Sequence, residues 1–195
     1  MSSPIRPALV VFGALTLLCG VLYPLAVTGV AAVAFPAQAA GSIVEVNGKA
    51  VGSALIGQAF SSPQYFWSRP SATGPMPNNG AGSGGSNLGA NNPALIDAVK
   101  GRIAALKAAD PANTAPIPVD LVTASGSGLD PEISVAAARY QAGRIAAARK
   151  TDSAQVLALV ERHQLKQYFG FFGEPRVNVL ELNLALDQAK PAAKQ

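Results

Sequence analysis

The sequence predicts an α+β chain: one N-terminal transmembrane helix, then a single mixed extracytoplasmic domain with a small sheet and about three helices. Three observations predict it. Residues Ala8 to Ala34 carry no charge at all. Beyond them, short β-branched stretches alternate with segments of helical period. Asn-Gly, Asn-Pro and Asp-Pro pairs punctuate the joins.

The polar groups of the uncharged run are Thr16, Cys19, Tyr23 and Thr28. About 20 apolar residues span a bilayer as a helix, and this run exceeds that. Lipid offers backbone groups no partner, so the run is expected to be helical throughout. Ala37-Gln38-Ala39 has the form of a signal-cleavage site. The apolar part of a secretory signal, however, is about 7–15 residues, so the length predicts a retained anchor. Arg6 and the amino terminus precede the span, whereas the next basic residue is Lys49, after Glu45. The excess of positive charge on the inner side therefore predicts a single-pass protein of the cytoplasmic (inner) membrane, with residues 1–7 inside and 35–195 outside. Gly13, Thr16, Gly20 and Pro24 recur at spacings of three and four. They form a seam of small residues along which another membrane helix can pack closely.

Without the span, about 160 residues remain, enough for one ordinary domain. The net charge is +4; setting aside Arg6 leaves 14 basic against 11 acidic residues, or +3. That balance is too mild for a nucleic-acid-binding protein. Cys19 is the one cysteine and lies in the span, which excludes a disulfide, a cysteine nucleophile and a cysteine metal site from the domain.

Along the domain, Ser42 to Val46 reads as a strand ending at the hairpin signal Asn47-Gly48, with Lys49 to Phe60 as its return. Phe60, Tyr65, Phe66 and Trp67 form an aromatic cluster. Thr73 to Asn92 is a long Gly/Asn/Pro-rich loop of the kind that is functional or disordered. Asn92-Pro93 caps a helix with Leu95, Ile96, Val99, Ile103 and Leu106 on its buried face. Val119 to Thr123 reads as a strand, and Ser125 to Gly128 as a turn. Asp130-Pro131 is expected to open an alanine-rich helix running to about Lys150, with Ile133, Tyr140 and Ile145 inward. Asp152 and Gln155 resemble a capping box for a helix carrying Val156, Leu159 and Val160. Val177 to Leu182 reads as a last strand, followed by a helical turn.

Few residues invite chemistry. Gly80, Gly82 and Gly85 match G-x-G-x-x-G, but a dinucleotide fingerprint needs a strand before it and a helix at once after it, and the sequence offers loop on both sides. Ser127 with His163, the one histidine, would be the pair of a tethered hydrolase. A nucleophile elbow around Ser127 requires glycines where Ser125 and Leu129 stand, so the turn reading is better. A tethered solute- or lipid-binding module is the other alternative. Arg139, Arg144, Arg149, Lys150, Arg162 and Lys166 gather positive charge on two neighbouring helices, and Gln141 and Arg144 share a face. Such charge is ordinarily a solvated face, or it meets lipid headgroups or an acidic partner.

Five blocks, in order, carry a resemblance: Gly52 to Phe60, Tyr65 to Ala72, Ser83 to Gly89, Pro118 to Ser134, and Arg176 to Asp187. With the N-terminal span they resemble the C subunit of the Kdp potassium-transporting P-type ATPase over nearly the whole chain. The resemblance implies a subunit that is not itself an enzyme. Its partners would be a channel-like potassium-binding subunit and a P-type ATP-hydrolysing subunit, together with membrane lipid and no nucleic acid. It would bind no cofactor firmly, ATP being used by the catalytic partner. The family is also associated with an effect on ATP use, which the resemblance attaches to Gln141 and Arg144. ATP is cytoplasmic, so from an outer domain that effect must be conformational. Candidates for the face towards the partners are Ser86 and Asn87 in the long loop and Ser125, Ser127 and Asp130 at the turn. Two positions depart from the pattern: Ala90, where proline is expected, and Lys150, where glycine is common.

Overall fold

The computed structural model describes residues 3–189 of the chain, which divides into two compact units, Met1–Val51 and Gly52–Gln195. The first unit is dominated by one helix, Ile5–Ala34, of mean hydropathy 2.2 and with none of its apolar window buried. Within it α1 (Ile5–Leu17) and α2 (Tyr23–Ala34) are joined by a π-helical turn at Leu18–Leu22, where the Tyr23 N–H reaches back to the Leu18 carbonyl. Pro24 explains the widening. It has no N–H for the Gly20 carbonyl, and its ring would crowd that carbonyl in a regular turn. The run is thus helical throughout, as expected, with one wide turn in it. A short helix α3 (Pro36–Ala39) follows, then β1 (Ile43–Val46) and β2 (Lys49–Ser53), which pair as a hairpin. Asn47 at φ 53° and Gly48 at φ 73° supply the two left-handed positions that the tightest hairpin turn requires. The return strand stops at Ser53, not Phe60.

The second unit holds a three-stranded antiparallel sheet in the order β3 (Glu132–Ser134), β5 (Arg176–Asn178), β4 (Gln164–Leu165). Ile133 pairs with Val177, and Leu165 with Arg176. Four helices accompany it among the described residues, where about three were expected: α4 (Pro93–Ala109), α5 (Val135–Arg149), α6 (Ser153–Arg162) and α7 (Val179–Ala189). The core is made by Ile133 and Val177 of the sheet with Ala138, Ala142 and Ile145 of α5, Val156 and Val160 of α6, and Val179 and Leu182 of α7. Alanine dominates α5 because that helix is buried around much of its circumference, and small side chains let its neighbours approach.

The expected N-caps at Asn92 and Asp152 are present, but Gln155 does not close a capping box on the Asp152 N–H. The side chains of Asn92 and Asp152 accept from the N–H groups of Ala94 and Ala154, and Gln155 accepts the Thr151 hydroxyl. Three expectations fail for local reasons. The helix expected from Asp130 begins only at Val135, capped by Ser134, because Asp130 instead turns the chain by accepting the Glu132 N–H and residues 132–134 pair with β5. Val119 to Thr123 is no strand. Residues Val119–Leu121 form a 3₁₀ turn that carries Asp120 to the N–H and hydroxyl of Ser134, at 2.7 and 3.1 Å. The last strand ends at Asn178, whose side chain accepts the Glu181 N–H, so Val179 to Leu182 are helical. Of the face expected on α4, only Leu106 is buried; Val99 and Ile103 are partly covered, and Ile96 is 43% exposed.

Candidate functional site

Residues Pro63 to Trp67 belong to no helix or strand, yet Phe66 is fully buried. A buried backbone must find hydrogen bonds somewhere. Here side chains of α5 and α7 supply them. Gln141 accepts the Trp67 N–H at 2.8 Å and donates to the Trp67 carbonyl at 3.2 Å. Asn183 does the same for Phe66, at 2.8 and 3.0 Å. Arg144 donates to the carbonyls of Pro63 and Tyr65 and to Gln141 Oε1. Arg149 donates to the carbonyls of Gln64 and Leu186 and pairs with Asp187 at 2.7 Å. The two guanidinium groups also lie over aromatic rings, Arg144 over Trp67 at 4.3 Å and Arg149 over Tyr65 at 4.9 Å. The Tyr65 hydroxyl closes the network on Asp187 at 2.9 Å.

This clasp is dry. Gln141, Asn183, Arg144 and Arg149 are all buried. Burial pulls the Arg144 guanidinium down to about 10, partly offset by Asp110, so it stays cationic at neutral pH. Burial, and then the bond to Asp187, raise the Tyr65 hydroxyl above its usual value. A lone amide within the apolar run of α7, and glutamine and arginine among the alanines of α5, are the signals that mark such a network in a sequence. Asn183, Arg149 and Asp187 were not singled out for it.

A second assembly joins the long loop to the serine-glycine turn. Gly84 N–H and the Ser83 hydroxyl both reach the Ser127 carbonyl, at 2.8 and 3.0 Å. The Ser71 hydroxyl donates to the Gly128 carbonyl at 2.7 Å and receives the Asn78 N–H. Thr73 and Asn79 extend the chain of bonds. Gly128, at φ 68°, sits so close that a Cβ there would lie 2.5 Å from the Gly84 carbonyl oxygen. The loop is therefore ordered by backbone contact with residues 125–128, which is why both partners are built of glycine and small polar residues.

The structure gathers some of the expected site residues and separates others. Gln141 and Arg144 are adjacent, with Gln141 Oε1 and Nε2 both engaged within the clasp. Ser86, Asn87 and Ser127 are exposed. Ser125 is buried, its hydroxyl accepting the Gly128 N–H, so it shapes the turn from inside. Asp130 is half-buried and pairs with Arg69 at 2.9 Å. Gly80, Gly82 and Gly85 lie in loop, and the next helix begins at Pro93. Ser127 Oγ accepts the Leu129 N–H, His163 closes α6, and no hydrogen bond joins the two among the described residues. No cluster of metal-ligating side chains occurs among the described residues.

Comparison with known proteins covers almost all of the chain. Residues 5–188 match the family model KdpC, the K+-transporting ATPase c chain. The chain is 71% identical over 188 residues to the potassium-transporting ATPase KdpC subunit of Herminiimonas arsenicoxydans, spanning 96% of this chain and 99% of that one. It is 70% identical to the subunit of the same name from Janthinobacterium sp. (strain Marseille), over 96% of this chain and all of that one. Against that of Methylibium petroleiphilum, identity is 62% over 98% of this chain and the whole relative.

Proposed function

Since this chain belongs to the KdpC family, the c chain of K+-transporting ATPases, we propose that it works as the membrane-anchored, non-catalytic subunit of an ATP-driven potassium importer. The observation that carries the reading is likeness at 71% identity over 96% of the chain and 99% of the relative. The helix Ile5–Ala34 is the anchor, long and apolar enough to cross a bilayer. Its seam of Gly13, Thr16, Gly20 and Pro24 packs against a helix of the channel-like subunit. Added Cβ atoms at Gly13 and Gly20 meet nothing within 4 Å in this chain, so the seam is open to a neighbour. The amino terminus lies in the cytoplasm and the domain outside, on the charge asymmetry of Arg6 against Glu45 and Lys49.

The domain holds no nucleotide firmly. ATP is consumed by the P-type partner, and Gln141 and Arg144 influence that use only by keeping residues 63–67 ordered. What supports this is the way the clasp spends their polar atoms on the backbone. Ser86, Asn87 and Ser127, exposed on the loop and its supporting turn, together with half-buried Asp130, form the face towards the channel-like subunit.

A tagged full chain, purified in mild detergent from potassium-starved cells, is expected to bring down a channel-like polypeptide and a P-type ATPase. Gly13→Leu with Gly20→Leu is expected to lose both while remaining in the membrane. Unchanged recovery with the double variant contradicts the seam, and absence of both polypeptides from the native preparation contradicts the function. Labelling of Ser86→Cys in intact spheroplasts by a membrane-impermeant maleimide is expected; labelling only after lysis reverses the orientation.

A further inference from the structure

Between β4 and β5 the chain makes a tight aromatic hairpin. Tyr168 and Phe172 bridge it, each N–H bonded to the other's carbonyl at 3.0 and 2.9 Å. Gln167 ties its base by donating to the Gly173 carbonyl at 2.7 Å, and Arg176 lies against the Tyr168 ring while pairing with Glu132. The hairpin is fixed, and it points its apolar side chains at water: Tyr168 is 63% exposed, Phe169 88%, Phe171 67% and Phe172 57%. Phe169 is moreover held at φ 53°, a conformation bulky residues avoid. Four aromatic rings in one protruding loop form a patch that soluble surfaces rarely tolerate unless something covers it.

We propose that this hairpin dips into the interfacial layer of the bilayer that the same chain spans, its rings among the upper acyl chains and its basic neighbours at the phosphates. Three observations favour lipid over a protein groove. First, backbone entering lipid must satisfy itself. Of the five N–H groups from Tyr168 to Phe172, all but that of Phe169 are bonded within the hairpin. Second, with Arg176 paired to Glu132, residues 162–175 still carry Arg162 and Lys166 against Glu174, the sign that anionic headgroups attract. Third, the helix Ile5–Ala34 keeps every copy of the domain beside a membrane, because residues 35–52 can extend at most ~60 Å. The proposal rests on the reading of that helix as a retained anchor.

The test uses the full chain in vesicles of mixed zwitterionic and anionic lipid, with Phe169→Trp as a depth probe and Trp67 in the native chain as the background. Bromine on the upper acyl carbons is expected to quench the added indole and shift its emission to the blue, more strongly as the anionic fraction rises. Phe171→Ser placed in the Phe169→Trp chain is expected to weaken that quenching and return the added indole's emission towards the red. An added indole that stays water-exposed and unquenched overturns the proposal. So does one that is shielded only when the other pump polypeptides are added, which gives the hairpin to a protein partner. Vesicles washed at alkaline pH separate the two readings: a chain that stays bound with a water-exposed indole overturns the hairpin alone, whereas a chain that washes off overturns the anchor.

Discussion

Gln141→Ala is the perturbation that best separates a structural clasp from a nucleotide contact. It strips the Trp67 N–H and carbonyl of their partners at 2.8 and 3.2 Å and removes an acceptor from Arg144. Each polar group orphaned in a buried setting costs ~1–3 kcal/mol, so the variant is expected to lose about 2–5 kcal/mol. That is a large share of the ~5–15 kcal/mol by which domains are stable. With a urea slope of ~2 kcal/mol per molar, the midpoint falls by roughly 1–2.5 M. Trp67 is the one tryptophan in the chain and lies in the clasp, so its fluorescence reports the transition directly in the micelle-bound protein. Asn183→Ala deprives Phe66 of the same pair of bonds from another helix and is expected to fall at least as far. Glu161→Ala, which breaks an exposed pair with Arg139, is the control and costs under ~1 kcal/mol. If Gln141→Ala leaves the midpoint unchanged while raising the ATP concentration the pump requires, the clasp reasoning is refuted. If both clasp variants shift ATP use in proportion to their loss of stability, the influence is conformational.

Gly128→Ala is expected to destabilise by more than ~1 kcal/mol, since φ is 68° and the new Cβ would strike Gly84 and Thr73, whereas Gly126→Ala, which meets nothing, should be close to neutral in the same urea titration. Lys150→Gly relieves a left-handed helix end at φ 53°, ψ 49° and should raise stability by up to ~1 kcal/mol in the same titration. His163→Ala, which removes the one imidazole a hydrolase would need, should leave potassium-limited growth undiminished; a growth defect with normal folding would revive the hydrolase reading.

How much was legible depended on whether the signal was local. The helix Ile5–Ala34 could be read because every residue of the uncharged run Ala8 to Ala34 carries the same apolar signal. The caps at Asn92 and Asp152 and the hairpin at Asn47-Gly48 could be read because one side chain or one φ angle decides each. Asp130-Pro131 misled because the same pair that caps a helix also turns a chain, and only the distant pairing of Ile133 with Val177 decides between them. Val119 to Thr123 misled because β-branched residues there serve a turn that aims Asp120 at Ser134. The clasp was half visible. Gln141 and Arg144 drew attention through the family resemblance, but their partners lie on residues 63–67, and no spacing rule connects those to α5 and α7. Lys150 shows the converse case: a departure from the expected glycine falls at a position whose backbone explains the glycine.

The most direct measurement is potassium-stimulated ATP hydrolysis by complexes purified from cells making either the full chain or one in which residues 8–34 are replaced by a cleavable secretion signal. The account predicts a membrane complex with full activity in the first case, and in the second a free, folded domain in the outer compartment with no activity in the membrane fraction. Normal hydrolysis by a complex whose c chain lacks the helix would contradict it.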